Sequence, residues 1–575
     1  VHKLIRRRAT PETELLESAD LHPLLARVYS ARGIATTSEL DLSLDQLLPP
    51  STLTHADRAA KLLADAIAAD ERILVVGDFD ADGATSTALA ISTLRTFGAR
   101  CVDYLVPNRF EYGYGLTPEI VELAAGGNPD LVVTVDNGIS SLEGVEAARE
   151  RGITTLITDH HLAGRELPRA DVIVNPNQPG CAFASKHLAG VGVIFYIMLA
   201  LRAELRARGR FDGGAGPSLA HCLDLVALGT VADVVPLDRN NRILVEAGLR
   251  RIRAGQGRPG IGALLELASR RAETLVASDL GFAVGPRINA AGRLDDMSIG
   301  IECLLSEDLA GARVHAARLH ELNNDRRSIE RGMQEEAMAT IDELGLLREA
   351  EAPVAISLYR GDWHQGVIGI LASRVKDRLH RPTIVFADGD NGEIKGSARS
   401  IKGIHIRDIL DAVAARHPGL ITRFGGHAMA AGLTLPLEHY EDFAAAFLEE
   451  VERHAEDVSL QAVIESDGEL TPADFQLELA GELRFAGPWG QHFPEPVFDG
   501  RFTLLNQRLV GEKHLKLVVE PPGGQAIDAI AFNIDTDRWP DDTAREVELA
   551  YRLDVNEFRG RRSLQLVVEQ LSPAG

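Results

Sequence analysis

Cysteine is scarce in this chain of 575 residues: Cys101, Cys181, Cys222 and Cys303 lie far apart, with no CxxC pair among them. That spacing excludes a zinc ribbon and a disulfide framework, and the four are expected as reduced, buried residues. Long apolar runs are missing too. The longest uncharged, mostly apolar stretch, 189–201, falls short of the roughly 18–20 residues that span a bilayer. The opening Val1-His-Lys-Leu-Ile-Arg-Arg-Arg8 lacks the apolar core of a secretory signal. A soluble, cytoplasmic protein with no membrane contact is expected. A Walker lysine is absent, because Gly83-Ala-Thr-Ser does not read GK[ST]. Gly190-Val-Gly192 and Gly213-Gly-Ala-Gly216 do not follow a strand and open a helix in the way phosphate loops do, so they are expected as loops or close-packing glycines.

Positive charge is in deficit overall, at a formal −24, which argues against a polyanionic partner. Its distribution argues otherwise. Between residues 360 and 427, eleven Lys/Arg face seven Asp/Glu, a local +4 inside an acidic chain, with five His besides. With 45% hydrophobic residues, a chain of this length is expected to build roughly three to five domains.

Short β-branched runs at 73–76, 102–106, 131–135, 153–158 and 172–174 alternate with stretches of helical spacing at 87–97, 118–125 and 142–151. That alternation predicts a parallel sheet covered by helices. Residues 304–346 carry dense charge with Ala and Leu at helical spacing and no Pro, predicting a long connecting helix or helix pair and a boundary near 349–353. A second α/β unit follows, with strands at 354–358 and 383–387. Period-two alternation then appears at 547–555 and 564–568, and with runs at 502–505, 515–519 and 527–534 the tail is expected to form a five-stranded barrel of the OB type or another small barrel.

In an open parallel sheet, ligands bind beyond the carboxyl ends of the strands, and acids stand there in this sequence. The first run leads into Asp78-Phe-Asp80-Ala-Asp82-Gly83, the third into Asp136-Asn-Gly138, and the fourth into Asp159-His160-His161. A later helical stretch ends in Gly229-Thr-Val-Ala-Asp233. Carboxylates gathered so closely stay ionised only beside compensating cations. Oxygen plus imidazole ligands without thiolate suit Mn²⁺ or Mg²⁺ better than structural zinc. Two such ions would activate water for in-line displacement at phosphorus. The strand followed by DxDG also mimics haloacid dehalogenase-type phosphatases, in which the first Asp is the nucleophile, but that alternative leaves Asp136, Asp159-His160-His161 and Asp233 without a role.

Together these four blocks resemble the motifs of the DHH phosphoesterases. Three more resemble the RecJ branch of that superfamily: Pro107-Asn-Arg109 with Gly113-Tyr114-Gly-Leu116, then Gly285-Pro-Arg287-Ile-Asn-Ala-Ala-Gly-Arg293, then Trp363-His-Gln-Gly-Val-Ile-Gly369 followed by Gly425-Gly426-His427-Ala-Met-Ala-Ala-Gly432. The resemblance covers about residues 60–570. It implies a parallel-sheet DHH domain (56–303) after an N-terminal extension (1–55), a connecting helix (304–350), a DHH-associated α/β domain (351–456) and an OB-like β-barrel domain (457–575). It further implies a metal-dependent exonuclease that hydrolyses single-stranded DNA 5′→3′ to mononucleotides in DNA repair and recombination. Two Mn²⁺ or Mg²⁺ ions would be held by Asp80, Asp82, Asp136, His160 and Asp233. His161 would touch the scissile phosphate, while Asp78 and Asp159 would orient neighbours.

Nucleic-acid or phosphate contacts would come from Arg109, Tyr114, Arg287, Arg293, Ser373, Arg374, Arg399, Gly425, Gly426 and His427. Tyr112, Tyr114 and Phe532 are stacking candidates on an OB-type track, or core residues. The resemblance also implies a monomer with a helicase or single-strand-binding protein as partner. Related pyrophosphatases carry a ligating His just ahead of the paired Asp, where this chain has Val75-Val76-Gly77, so one metal site is expected to be poorer in protein ligands. The alternatives are a cyclic-dinucleotide or short-oligonucleotide phosphodiesterase, or a non-catalytic scaffold of the same descent.

Overall fold

The β-branched runs become strands because their residues pack well on a pleated, buried surface. The computed structural model describes residues 3–9, 11, 21–108, 112, 115–343, 353–455, 458, 460–536, 538–558 and 560–574. Within it, Val102–Leu105, Ile73–Val76, Leu131–Val135, Thr154–Thr158 and Val172–Val174 lie side by side in that order as an all-parallel sheet. Leu131–Val135 is buried at every residue, as expected where helices cover both faces. The order reverses at Ile73–Val76, whose neighbours are the second and third strands in sequence. At such a switch point the following loops part and leave a crevice.

The first helix expected from the sequence starts earlier than its spacing suggests. Instead of opening near residue 87 it spans Ala81–Thr96, with the Asp80 carboxylate capping the Gly83 amide at 2.9 Å. The Asp-Gly pair looks like a turn in sequence, yet an N-cap Asp and an acid in the first turn both favour a helix start. Its Ala, Ser and Thr residues let it lie buried against the helices Gly190–Ala207 and Leu223–Ala232.

The chain forms two compact units, residues 8–323 with 467–575 and residues 1–7 with 324–466. The first unit holds the parallel sheet and a closed barrel of Phe498–Val510, His514–Glu520, Ile527–Ala531, Arg561–Pro573 and Glu546–Phe558. This bears out the five-stranded barrel, and sheet and barrel share one hydrophobic core. Residues 21–55 add to that core through Leu24, Val28 and Leu53. Arg32 ties them down: its guanidinium meets Asp467 Oδ1 and Oδ2 at 2.8 and 3.0 Å, with both side chains 1% exposed.

In the second unit, Arg423–Gly426, Ala430–Pro436, Glu393–Arg399, Thr383–Asp388 and Ile356–Tyr359 form a mixed sheet in that order. A short parallel pair, Leu4–Arg7 with Val463–Ser466, belongs to the same unit. The long helix is observed as Leu309–Glu343, beginning in one unit and ending in the other. The boundary expected near 349–353 falls almost wholly outside the described residues. No helix among the described residues is long and apolar enough to cross a membrane.

Removing one partner of a buried ion pair strands the other charge, which costs about 3–5 kcal/mol. Asp467→Ala is therefore expected to lower the urea midpoint by that equivalent, read through fluorescence of Trp489, over which Arg32 lies at 5.2 Å. A midpoint equal to wild type would remove the pair from this role.

Candidate metal centre

Four chain segments deliver acids to the crevice at the switch point. Asp80 caps the first helix and Asp82 sits in its first turn. Asp136 follows Leu131–Val135 with φ 63, a left-handed backbone that Asp tolerates better than most residues. His160 follows Thr154–Thr158, and Asp233 ends the helix Leu223–Ala232. These converge: His160 Nε2 lies 3.0 Å from Asp136 Oδ1, 3.5 Å from Asp233 Oδ2 and 3.9 Å from Asp82 Oδ2. Three overlapping sets each bring ligand atoms within 4.8 Å of one another: Asp136, His160 and His161; Asp82, His160 and Asp233; Asp78, Asp80 and Asp136.

Burial and mutual repulsion govern the charges. Burial, then the neighbouring Asp80 charge, pushes the Asp82 carboxyl up to about 7. Burial followed by the charges of Asp82 and Asp80 pushes Asp136 and Asp233 well above the usual carboxylate range. Asp159 goes the other way. Burial would raise it, but the hydrogen bond and charge of His161 hold it at about 2, helped by the Ile139 amide. His161 Nδ1 stands 2.8 Å from Asp159 Oδ1. Burial opposes its positive charge, yet that bond and the nearby acids raise the imidazole to about 9.

A divalent cation fits this donor set. The oxygen and imidazole atoms are of the type Mn²⁺ and Mg²⁺ accept, and positive charge would relieve the repulsion that lifts Asp82, Asp136 and Asp233.

Several supporting groups escaped the sequence reading. Gly190-Val-Gly192 does open a helix, Gly190–Ala207, and the amides of Gly190 and Val191 donate to Asp82 Oδ2 and Oδ1 at 2.6 and 2.9 Å. A Cβ at Gly190 would sit 2.6 Å from that of Asp136, so its close packing is required. Asn175 and Asn177 donate to the carbonyls of His161 and His160, and Asn289 Oδ1 accepts the Ala81 amide at 2.7 Å. Asn137 donates to the carbonyls of Val76 and Val135, joining two strand ends. At Gly77 a Cβ would lie 2.2 Å from Thr87 Oγ1, so no histidine fits at the position just before Asp78.

The remaining expected contacts are distributed as follows. Arg109 and Tyr114 lie outside the described residues. Arg287 is 9% exposed and turned inward, donating to the Ala283 carbonyl and to His320 Nδ1. Arg293 is half-buried on the last turn of Gly285–Leu294.

In the other unit, Arg399 donates to Ser397 Oγ and the Ala398 carbonyl, Ser373 Oγ donates to the Gly369 carbonyl, and Arg374 pairs with Glu330 at 2.8 Å. Gly425 faces Gly432 across the hairpin, and Gly432 faces Ser397. Gly426 has φ 144 and no room for a Cβ, whereas Gly425 and Gly432 have nothing within 4 Å of theirs. His427 is exposed, and its amide closes the turn on Ala430.

Two expectations follow for the metal-free protein. The His161 ring should titrate near 9 by NMR, and Asp159→Asn should move its midpoint downward; an unmoved midpoint would break the pair's assignment. Since the folded value exceeds 6.5, this imidazolium stabilises the fold fully below about pH 6.5, a contribution lost as pH rises through 9. Asp136→Asn, which removes one repelling charge, should raise the melting temperature by about 2–4 °C per ~1 kcal/mol relieved and cancel most of the stabilisation that Mn²⁺ gives wild type. A variant less stable than wild type without metal would contradict the repulsion.

Residues 72–230 match the DHH family, N-terminal domain, 351–453 the DHHA1 domain, and 466–570 the RecJ OB domain. The chain is 57% identical over 572 residues, 99% of both chains, to the single-stranded-DNA-specific exonuclease RecJ of Dickeya dadantii. Among solved structures, RecJ from Thermus thermophilus in complex with Mn²⁺ is similar at TM-score 0.81 and 29% identity, over 100% of this chain and 80% of that one. Its complex with Mg²⁺ gives TM-score 0.74 and 28% identity, over 100% and 79%. With a full-length relative and all three modules in agreement, this chain belongs to the RecJ family of DHH phosphoesterases.

Proposed function

We propose that the chain is a Mn²⁺- or Mg²⁺-dependent exonuclease that digests single-stranded DNA from its 5′ end to mononucleotides, serving DNA repair and recombination. The observation that carries this function is the convergence of Asp82, Asp136, His160 and Asp233 on one partly buried volume. Likeness over 99% of both chains to a single-stranded-DNA-specific exonuclease supports the substrate.

Asp80, Asp82, Asp136, His160 and Asp233 would hold the two ions. Bound there, such ions supply Lewis acidity that makes water a stronger nucleophile and draws charge from phosphoryl oxygens. His161, kept positive by Asp159, donates a hydrogen bond to the scissile phosphate. Asp159 also fixes the amides of His160 and Ile139 at 2.7 and 2.9 Å, so it positions the loop as well as the proton. Asp78 accepts the Phe79 amide at 2.8 Å and so shapes the turn into Asp80. The helix N-terminus at Gly190 aims Asp82 and favours its charged form, against burial and the Asp80 charge.

In the second unit, Ser373, Arg374, Arg399, Gly425, Gly426 and His427 would grip backbone phosphate or the 5′ end. The open glycine pair Gly425 and Gly432, where only backbone meets an approaching group, supports this role. Arg109, Tyr114, Arg287 and Arg293 complete the proposed contacts, Arg287 through the turn it braces. Four free cysteines support a reducing, cytoplasmic setting. We assign domains at 56–303, 351–456 and 457–575, with residues 1–55 preceding them and 304–350 connecting the first two. A monomer working beside a helicase or a single-strand-binding protein fits an enzyme that consumes exposed strands.

With Mn²⁺, the enzyme should degrade 3′-blocked single strands, spare 5′-blocked strands and blunt duplexes, and release mononucleotides. Asp136→Ala should lose at least ~100-fold in rate, given what electrostatic groups contribute at such sites. Equal digestion of all three substrates, or an active Asp136→Ala, would reject the proposal.

A further inference from the structure

Among the described residues, Phe282 is the most exposed large hydrophobic side chain, at 85%, and Val234 stands at 63%. Single exposed apolar residues are ordinary on protein surfaces, but these two occupy unusual backbone. Phe282 lies in a π-helical turn, Leu280–Val284, closed by the Gly285 amide on the Leu280 carbonyl. Such turns are rare and concentrate at functional sites. Val234 has φ 59, a left-handed conformation that a β-branched residue adopts only when its surroundings impose it.

Both positions adjoin the acid cluster. Val234 directly follows Asp233. The turn bearing Phe282 lies against the end of the helix that delivers Asp233: a Cβ at Gly281 would be 3.1 Å from Val231 Cγ1, and one at Gly285 would be 3.1 Å from the Ala232 Cβ. The helix continuing from that turn reaches the other wall, where Asn289 takes the Ala81 amide and Gly292 packs on the Phe79 carbonyl. Arg287 braces the turn through the Ala283 carbonyl. The protein thus fixes the backbone under Phe282 firmly while leaving its ring in solvent.

Resting on the single-stranded-DNA activity proposed above, we infer that Phe282, with Val234 beside the metal centre, is a stacking platform for an unpaired nucleobase of the strand whose phosphate lies at the acids. A base has an exposed π-face only when its strand is single, so the platform favours single strands over duplex. Val234 supplies apolar contact, and the acids below recognise no base.

The test is a kinetic cycle. Wild type, Phe282→Ala and Phe282→Trp would digest 3′-blocked single strands carrying one abasic site, moved stepwise from the 5′ end. Phe282→Ala should lower kcat/KM about tenfold on intact strands, mainly through KM, and Phe282→Trp should restore it. At one abasic position the difference between wild type and Phe282→Ala should vanish. Hydrolysis of a phosphodiester without bases, bis(p-nitrophenyl) phosphate, should be unchanged, as should the melting temperature. Loss of the fold in Phe282→Ala, equal loss on the base-free ester, or a difference that persists at every abasic position would overturn the inference. Wild type that releases no nucleotides would instead overturn the exonuclease function itself.

Discussion

Repulsion among carboxylates buried at the head of one parallel sheet is the constraint to which the rest of this molecule answers. Asp82 and Asp136 are removed from water, Asp233 is partly so, and the three are set within reach of one another, so each makes ionisation of the others harder. A fold under that load needs rigid supports. They are visible as the Gly190 and Val191 amides on Asp82, the Asn137 bridge between strand ends, and the asparagines that pin the carbonyls of His160 and His161. Each keeps an acid or a histidine where cation binding gains most from it, and none relieves the repulsion by itself.

The sheet, the barrel and the order of the acids were legible in sequence for a physical reason: side-chain period and strand-end position are local properties of the chain. Asp136 and Asp159-His160-His161 could be placed because a β-branched run ends immediately before them. Other features were illegible because they depend on partners distant in sequence. Nothing near Gly190 says that its amide will meet a carboxylate 108 residues earlier. Residues 21–55 carry no sign that Arg32 will bury itself on Asp467. The start of the first expected helix is illegible in sequence because Asp-Gly serves equally as a turn and as an N-terminal helical turn, and only the packing against Gly190–Ala207 and Leu223–Ala232 decides. Arg287 shows the converse: a basic residue in a recognisable motif spends donors on its own backbone.

The barrel shares its core with the catalytic sheet, so the module that would track a strand is not a loosely tethered accessory. Arg242 over Phe493 at 4.2 Å and the Leu237 amide on the Gln491 carbonyl join the segment just after Asp233 to the connection leading into the barrel. The barrel and the acid geometry at the sheet therefore rest on one continuous packed body. A shift at either would have to deform packed side chains rather than bend a linker.

Asp159 and Asp82 are both almost fully buried, yet one carboxyl sits near 2 and the other near 7. Desolvation is the largest influence on each and pushes both upward, so the sign is decided by neighbours. Asp159 has an imidazolium at 2.8 Å and an amide from Ile139, whereas Asp82 has amides from Gly190 and Val191 but faces the Asp80 charge. Amides alone do not offset burial plus a like charge; a full positive charge does. Asp159 thus already has its cation in His161 and needs no other. At Asp82, Asp136 and Asp233 burial and like charges outweigh the positive charge that the chain supplies, and a metal ion among them would offset that balance.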